Sequence, residues 1–250
     1  MRGPGRRDRA GEPDVPAGTS AQRLTGFLPA RDGFAFTNSW PPAPAVSVRT
    51  PAGPVGIGNA ALGLCGGMVL AALDYWHAGT PPPASRPAPG SPLYRFIVRR
   101  LITSWRIPAG VATYYGWMVL PDRDAVLRAG TGPGAARTIR GVPGRSVAVQ
   151  WPRVRAALDR GQPVPLGLVT VASASPLLLG RNHQVLACSY QAARTSVRLQ
   201  VYDPNTGQDD GVFLEFDTGR PAITHNIGIA RPVRGFFTTR YVPVPPPEPA

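Results

Sequence analysis

The chain contains, early in its apolar part, the stretch Gly63-Leu64-Cys65-Gly66-Gly67-Met68, followed by Val69-Leu70-Ala71-Ala72-Leu73-Asp74-Tyr75-Trp76. These residues are apolar almost all round a helical projection, and a helix without a polar face is a buried one. Gly79 is suited to ending this helix, because glycine readily adopts the left-handed conformation found at many helix ends. The pattern predicts a buried helix that begins near a cysteine.

Helices and strands of the remaining chain follow one another in a simple order. Ser91-Pro92 and Trp151-Pro152 each have the features of a helix start. Four later stretches have the composition of strands, and in one of them Val197, Leu199 and Val201 alternate with polar neighbours; the four stretches are 163–171, 182–190, 197–202 and 211–216. Because helices precede strands, we expect an α+β protein with an antiparallel sheet.

The ends of the chain differ in composition from its middle. Residues 1–24 are rich in Arg, Gly, Pro and Asp, which predicts a disordered basic tail. Residues 243–250 contain three consecutive prolines and are expected to be extended. A single folded domain is therefore predicted over residues 25–242.

The strong positive charge directs attention first to nucleic acid. The formal net charge is +13, and all 27 basic residues are arginine. These arginines are scattered along the chain, whereas a nucleic-acid reader usually gathers its charge on one face with aromatic residues between. We therefore expect a solvated basic surface rather than a nucleic-acid partner.

The numbers of cysteines and histidines exclude two further classes. Two cysteines and three histidines, all dispersed, provide neither a disulfide framework nor a zinc cluster. The N-terminus has no apolar segment typical of a secretory signal, and no run approaches the length of a membrane helix. We expect a cytoplasmic location with reduced thiols and no membrane span.

Cys65 is the first candidate for chemistry. The N-terminus of a helix carries partial positive charge and unpaired N–H groups, and both favour a thiolate. The glycines beside it leave room for a substrate backbone. The alternative is that Cys65 is a small buried apolar residue, as unpaired cysteines often are.

His183 is the second candidate, in Asn182-His183-Gln184-Val185-Leu186-Ala187, where it opens an apolar strand. On a strand His183 shares a face with Val185 and Ala187, whereas Cys188 has the opposite parity and is expected in the core. The alternative for His183 is an interior histidine with satisfied hydrogen bonds.

Asp203 is the third candidate, in Val201-Tyr202-Asp203-Pro204-Asn205-Thr206-Gly207, where it ends the following strand. A carboxylate at this point can accept a hydrogen bond from the imidazole and stabilise the imidazolium. One alternative is a side chain that only starts a turn. Another is a calcium loop that also uses Asn205, Asp209 and Asp210, although Gly207 stands where a third oxygen ligand belongs.

The order of these three pieces resembles the papain-like cysteine peptidases, and within them the bacterial group that trims double-glycine leaders. The resemblance lies in the Cys65 helix start and the matching stretches 161–169, 182–190 and 201–207. It implies that Cys65 is the nucleophile, His183 its base and Asp203 the orienting acid, with Asn205 as the alternative acid. The oxyanion residue of the family, a Gln six positions before the cysteine, is replaced here by Asn59, and Asn38 is a second candidate.

The resemblance implies a cysteine-dependent amide or peptide hydrolase that works through a thioester and needs neither a cofactor nor a metal. A catalytically inactive binding module and an acyltransferase with the same triad remain alternatives. The segment 80–150 has no counterpart in the family. Together with Trp40 it is expected to form the walls of the cleft.

Overall fold

The structure is a computed structural model of the chain, and it describes residues 21–41, 46–50, 53–57, 63–105, 109–128 and 136–248. The α-helices within these ranges are α1 (Pro29–Asp32), α2 (Cys65–His77), α3 (Pro92–Trp105), α4 (Ala109–Met118), α5 (Val142–Arg145) and α6 (Trp151–Asp159). A π-helical turn, Ser146–Gln150, joins α5 to α6, and a 3-10 helix spans Pro176–Arg181.

The strands within the same ranges are β1 (Ala21–Leu24), β2 (Val46–Thr50), β3 (Gly53–Ile57), β4 (Ala125–Arg128), β5 (Ala136–Ile139), β6 (Val164–Val169), β7 (His183–Ala193), β8 (Ser196–Tyr202), β9 (Phe213–Asp217), β10 (Ile223–His225) and β11 (Gly235–Thr238). The main sheet has the order β10-β9-β8-β7-β6-β11, and β1 pairs with the far half of β7. All of its pairings are antiparallel, so the predicted α+β class with an antiparallel sheet is confirmed. Hairpins β2–β3 and β4–β5 form two separate small sheets.

The helix α2 lies between α3 and the main sheet, as its uniformly apolar sequence predicts. Every residue from Gly66 to Tyr75 is buried. Gly67 makes the close approach of α3 possible, because a Cβ at this position would collide with the backbone carbonyl of Ile97. Just past the helix, Gly79 adopts a φ of +66°, as expected for a left-handed residue at a helix end.

The opposite face of the sheet is covered by α6. Its Trp151, Val154 and Leu158 pack in one apolar cluster with strand residues that include Leu166, Val185 and Leu199. The sheet is thus buried on both faces. His183 is the first residue of its central strand β7, and Asp203 directly follows the neighbouring strand β8. Side chains attached there are held by rigid elements.

The aromatic residues of α4, which belong to the segment expected to form the walls of the cleft, lie mostly in the interior. Tyr114 and Trp117 of α4 are buried against Phe237 of β11, with ring centroids 4.7 Å and 5.4 Å apart respectively. Trp40 is also buried, and its ring meets that of Tyr94 edge to face at 5.4 Å. The expectation that Trp40 forms a cleft wall is wrong, because its ring fills the core between α3 and the N-terminal segment.

Both ends of the described chain contact the domain. Residues 21–24, within the segment predicted to be disordered, form β1 and pair with Ser189–Ala192 of β7. At the other end, Tyr75 donates a hydrogen bond to the Pro247 carbonyl at 2.9 Å, and Arg100 donates to the Val242 carbonyl at 3.0 Å. These contacts use main-chain groups of the end segments, which explains why side-chain patterns did not predict them.

Among the helices that the structure describes, none combines the length and apolar character needed to cross a membrane.

Candidate active site

Cys65 occupies the first position of α2, so its side chain lies at the positive end of a buried helix. Cys65 is partly exposed, whereas the ten residues after it are buried. The first hydrogen bond inside the helix runs from the Met68 N–H to the Leu64 carbonyl at 2.9 Å. The N–H groups of Cys65, Gly66 and Gly67 therefore have no carbonyl partner within the helix. This is a setting that favours negative charge on a sulfur or an oxygen.

His183 begins β7 and is 5% exposed. Its Nε2 lies 2.7 Å from Oδ1 of Asp203, which leaves Nδ1 as the nitrogen that can exchange a proton with Cys65. Burial by itself disfavours the charged imidazole. The charge and hydrogen bond of Cys65, together with those of Asp203, outweigh that effect and raise the pKa of His183 to about 10.

Asp203 follows the last residue of β8 and is completely buried. Its Oδ1 also accepts a hydrogen bond from the Asn205 N–H at 2.9 Å, and its Oδ2 accepts one from the Gly228 N–H at 2.7 Å. Burial alone would raise the pKa of this carboxyl, but the hydrogen bond and charge of His183 and the two backbone donors hold it below its ordinary value. Asp203 is therefore the carboxylate partner of the imidazole.

Asn205, the alternative to Asp203 as the residue that orients His183, forms side-chain hydrogen bonds with other residues. Its Nδ2 donates to the Gly228 carbonyl at 3.0 Å, and its Oδ1 accepts from Asn38 Nδ2 at 3.1 Å. The structure brings Asp203 to the imidazole and uses Asn205 to support the turn that carries Asp203.

The two oxyanion candidates differ in what the structure describes. Asn59 lies outside the described residues. Asn38 is described, and its Oδ1 accepts hydrogen bonds from the Leu64 N–H at 2.7 Å and from Trp40 Nε1 at 2.9 Å. Because its amide also donates to Asn205, Asn38 is tied into the scaffold on both its oxygen and its nitrogen.

A polar cluster behind Cys65 was not predicted from the sequence to belong to the site. The hydroxyl of Tyr114 donates to the backbone carbonyl of His183 at 3.2 Å. Burial raises the pKa of Tyr114 well above its ordinary value, and the nearby Cys65 adds to that rise. Gln184 Nε2 donates to Ser104 Oγ at 3.2 Å, while its buried Oε1 accepts no hydrogen bond from the residues that the structure describes. In the sequence Tyr114 stands among other aromatic residues, a pattern more typical of packing than of a functional site.

The remaining thiol and imidazoles lie apart from this arrangement. Cys188 is buried, as expected, and its Sγ lies 3.4 Å from the Gln200 carbonyl. His77 stacks on Tyr241 with centroids 5.5 Å apart, and His225 Nε2 lies 3.0 Å from the Arg231 carbonyl.

The acidic side chains named in the alternative of a calcium loop have other partners. Asp209 accepts a hydrogen bond from the Gly211 N–H at 2.7 Å, and Asp210 accepts one from the Ala30 N–H at 2.9 Å. In the part of the chain that the structure describes, no three His, Cys, Asp or Glu side chains are grouped to bind a metal ion. The turn after β8 therefore serves to hold Asp203.

Comparison with known proteins returns no relative. No protein-family model matches the chain, and no curated protein or solved structure matches it. The chemistry of the site is therefore inferred from its own contacts.

Proposed function

We propose that the protein is a papain-like cysteine hydrolase that cleaves an amide or peptide bond with the triad Cys65, His183 and Asp203. The observation that supports this most directly is the position of His183. Its Nε2 is hydrogen-bonded to Asp203, and its ring lies beside Cys65, the first residue of α2. A nucleophile, a base and a group that orients the base are the minimum set for acyl transfer.

The first half of the reaction forms a thioester. The Cys65 sulfur attacks the carbonyl carbon of the substrate as a thiolate, while His183 holds the proton on Nδ1. The imidazolium then donates this proton to the leaving nitrogen as the C–N bond breaks. The carboxylate of Asp203 stabilises the imidazolium and keeps its ring oriented.

The second half consumes water. His183, now neutral, accepts a proton from a water molecule whose oxygen attacks the thioester carbon. The C–S bond breaks and the product leaves as a carboxylic acid, while the proton on His183 balances the Cys65 thiolate. In both halves the developing oxyanion is stabilised by the Cys65 N–H and by a second donor, for which Asn59 stays the prediction.

The acyl group and the acceptor define the substrate class. We propose that a peptide or protein is the acyl donor and that water is the acyl acceptor. The cytoplasm is the compartment we propose, because it keeps the Cys65 thiol reduced. If a small amine added to the reaction captures the acyl group in preference to water, the protein is an acyltransferase with the same triad.

The test is the reactivity of Cys65 toward iodoacetamide as a function of pH, followed by mass spectrometry of the labelled peptide. We expect fast labelling at Cys65 well below pH 8, and slow labelling in the His183→Ala variant. Cys188 is an internal control, because a buried thiol labels only when the chain unfolds. Labelling of Cys65 no faster than a thiol in an unstructured peptide would contradict the proposal and favour a binding module without turnover.

A second measurement tests acyl transfer itself. With p-nitrophenyl acetate as acyl donor, we expect a burst of p-nitrophenol and an acetyl adduct on Cys65 that disappears by hydrolysis. The Cys65→Ser variant should give no burst. An adduct that forms but never turns over would show a nucleophile without hydrolase activity.

A further inference from the structure

Asn38 connects the two parts of the structure that carry the site. Cys65 belongs to the helical layer, whereas His183 and Asp203 belong to the sheet. Asn38 lies in the N-terminal segment between them and is partly buried. Its hydrogen bonds connect it to both the helical layer and the sheet side of the site.

On the helical side, the side chain of Asn38 holds the residue that precedes the nucleophile. Its Oδ1 accepts the Leu64 N–H at 2.7 Å and the Trp40 Nε1–H at 2.9 Å. Both partners can only donate, so the oxygen and the nitrogen of this amide are assigned without ambiguity. Gly63 leaves space for the amide, because a Cβ there would lie 2.6 Å from Asn38 Nδ2.

On the sheet side, Asn38 holds the turn that carries the acid. Its Nδ2 donates to Asn205 Oδ1 at 3.1 Å, and its backbone N–H donates to the Pro204 carbonyl at 2.8 Å. The Asn205 N–H in turn donates to Asp203 Oδ1, the oxygen that contacts His183. A continuous series of hydrogen bonds thus runs from the start of α2 to the imidazole.

We propose that Asn38 is a positioning residue that sets the distance between the Cys65 sulfur and the His183–Asp203 pair, rather than a donor to the oxyanion. This inference rests on the proposed function. Its physical basis is that proton sharing between a thiol and an imidazole depends steeply on their separation, and a misplacement of about 1 Å can cost on the order of 100-fold in rate.

The experiment measures both iodoacetamide alkylation of Cys65 and p-nitrophenyl acetate hydrolysis, from pH 5 to pH 9, in variants of the full chain. Alkylation is a displacement at an sp³ carbon and forms no oxyanion, so it responds to the Cys65–His183 pairing and not to an oxyanion donor. We expect Asn38→Ala to lower the alkylation rate at neutral pH about 10- to 100-fold and to move the rise of the profile to higher pH.

Asn38→Asp refines the test. It keeps an oxygen that accepts from Leu64 and Trp40, but a carboxylate oxygen, which cannot donate, then faces Asn205 Oδ1. A loss at least as large as that of Asn38→Ala therefore identifies the link to the turn that carries Asp203. In the double variant Asn38→Ala/Asn205→Ala, the two losses should not multiply, because both changes break the same hydrogen bond.

The matched control is Asp217→Ala. Asp217 holds a turn at the opposite end of the sheet through hydrogen bonds from the Gly219 N–H and Thr195 Oγ1, both 2.7 Å long. Its loss should lower the melting temperature slightly and leave the alkylation profile unchanged, which separates a positioning effect from a general loss of stability.

Three results would overturn the inference, each in a different way. Slow alkylation of wild-type Cys65 removes the proposed function itself. Fast wild-type alkylation that both Asn38 variants retain, together with their hydrolysis, leaves the function in place and refutes the positioning role. Retained alkylation with lost hydrolysis identifies Asn38 as an oxyanion donor instead.

Discussion

The carboxylate of Asp203 and the imidazole of His183 meet through Oδ1 and Nε2 at 2.7 Å, in a contact that is almost completely shielded from water. Because Nε2 is bound, a neutral His183 presents Nδ1 toward Cys65. Both oxygens of the carboxylate also accept backbone N–H groups, so its orientation is fixed independently of the imidazole. The position of the Asp203 carboxylate is therefore set by the backbone around it.

Asp203→Asn should lower the hydrolysis rate by about 10³- to 10⁴-fold. An amide has one oxygen, so it cannot accept from His183, Asn205 and Gly228 together, and its NH₂ group favours the wrong tautomer of the imidazole. The measurement is kcat/KM for the ester substrate. Asp217→Asn is the control, since this partly exposed carboxylate also accepts backbone N–H groups. Equal losses in the two variants would contradict a role for Asp203 in orienting His183.

The raised pKa of His183 predicts the pH dependence of both stability and rate. A histidine whose pKa is 6.5 when unfolded and about 10 when folded stabilises the fold fully below pH 6.5. This contribution is lost as the pH rises through about 10. We expect the free energy of unfolding in urea to decline over this window, and hydrolysis to fall near its upper end as the imidazolium loses its proton. His183→Gln should lack the decline; an identical decline in that variant would show that other groups cause it.

Two neighbouring tyrosines allow a matched test of the polar cluster behind Cys65. Tyr114→Phe removes the hydroxyl that donates to the His183 carbonyl but keeps the ring packed on Phe237. We expect the free energy of unfolding to fall by about 1 kcal/mol and kcat to fall at unchanged KM. Tyr115→Phe removes a similar bond to the Ala174 carbonyl on the exposed side and should leave kcat unchanged. Equal kcat values in all three proteins would show that Tyr114 is only a packing residue.

Sequence patterns were enough to predict the helix and strands that carry the site. They were not enough to predict the hydrogen bonds between these elements. The apolar run after Cys65 and the strands of His183 and Asp203 are local signals, and the predicted helix and antiparallel strands are confirmed. The hydrogen bonds of Tyr114 and Asn38 join residues distant in sequence, so no local periodicity reveals them. The papain-like resemblance itself stays a prediction.

Alanine substitutions at a buried glycine of α2 and at an exposed glycine of α4 should have opposite effects on stability. Gly67→Ala should destabilise the fold by about 1–3 kcal/mol, because its Cβ would collide with the Ile97 backbone carbonyl, which cannot move without shifting α3. Gly116→Ala, at an exposed position of α4 with nothing within 4 Å of the added carbon, should stabilise it by about 0.5–1 kcal/mol. Urea unfolding of both variants measures the difference. A Gly67→Ala protein as stable as the wild type would show that the two helices are farther apart.

A buried ion pair between α2 and α3 holds the C-terminal segment. Arg100 Nε lies 2.7 Å from Asp74 Oδ2, and the two side chains are 3% and 0% exposed. Asp74 Oδ1 also accepts hydrogen bonds from Tyr241 Oη at 2.8 Å and from the Val244 N–H at 3.0 Å. Removing the carboxylate therefore leaves a buried guanidinium without its counter-ion and releases the end of the chain.

Asp74→Ala should accordingly destabilise the fold by about 3–5 kcal/mol. Glu215→Ala is the control, because its pair with Arg198 is exposed and such pairs contribute about 0–1 kcal/mol. Thermal and urea unfolding measure both variants, and limited proteolysis followed by mass spectrometry reports whether residues 241–247 are released. If Asp74→Ala costs no more than Glu215→Ala and its C-terminal segment stays protected, the buried pair does not hold that segment, and the apolar contacts of Val244 and the prolines do so instead.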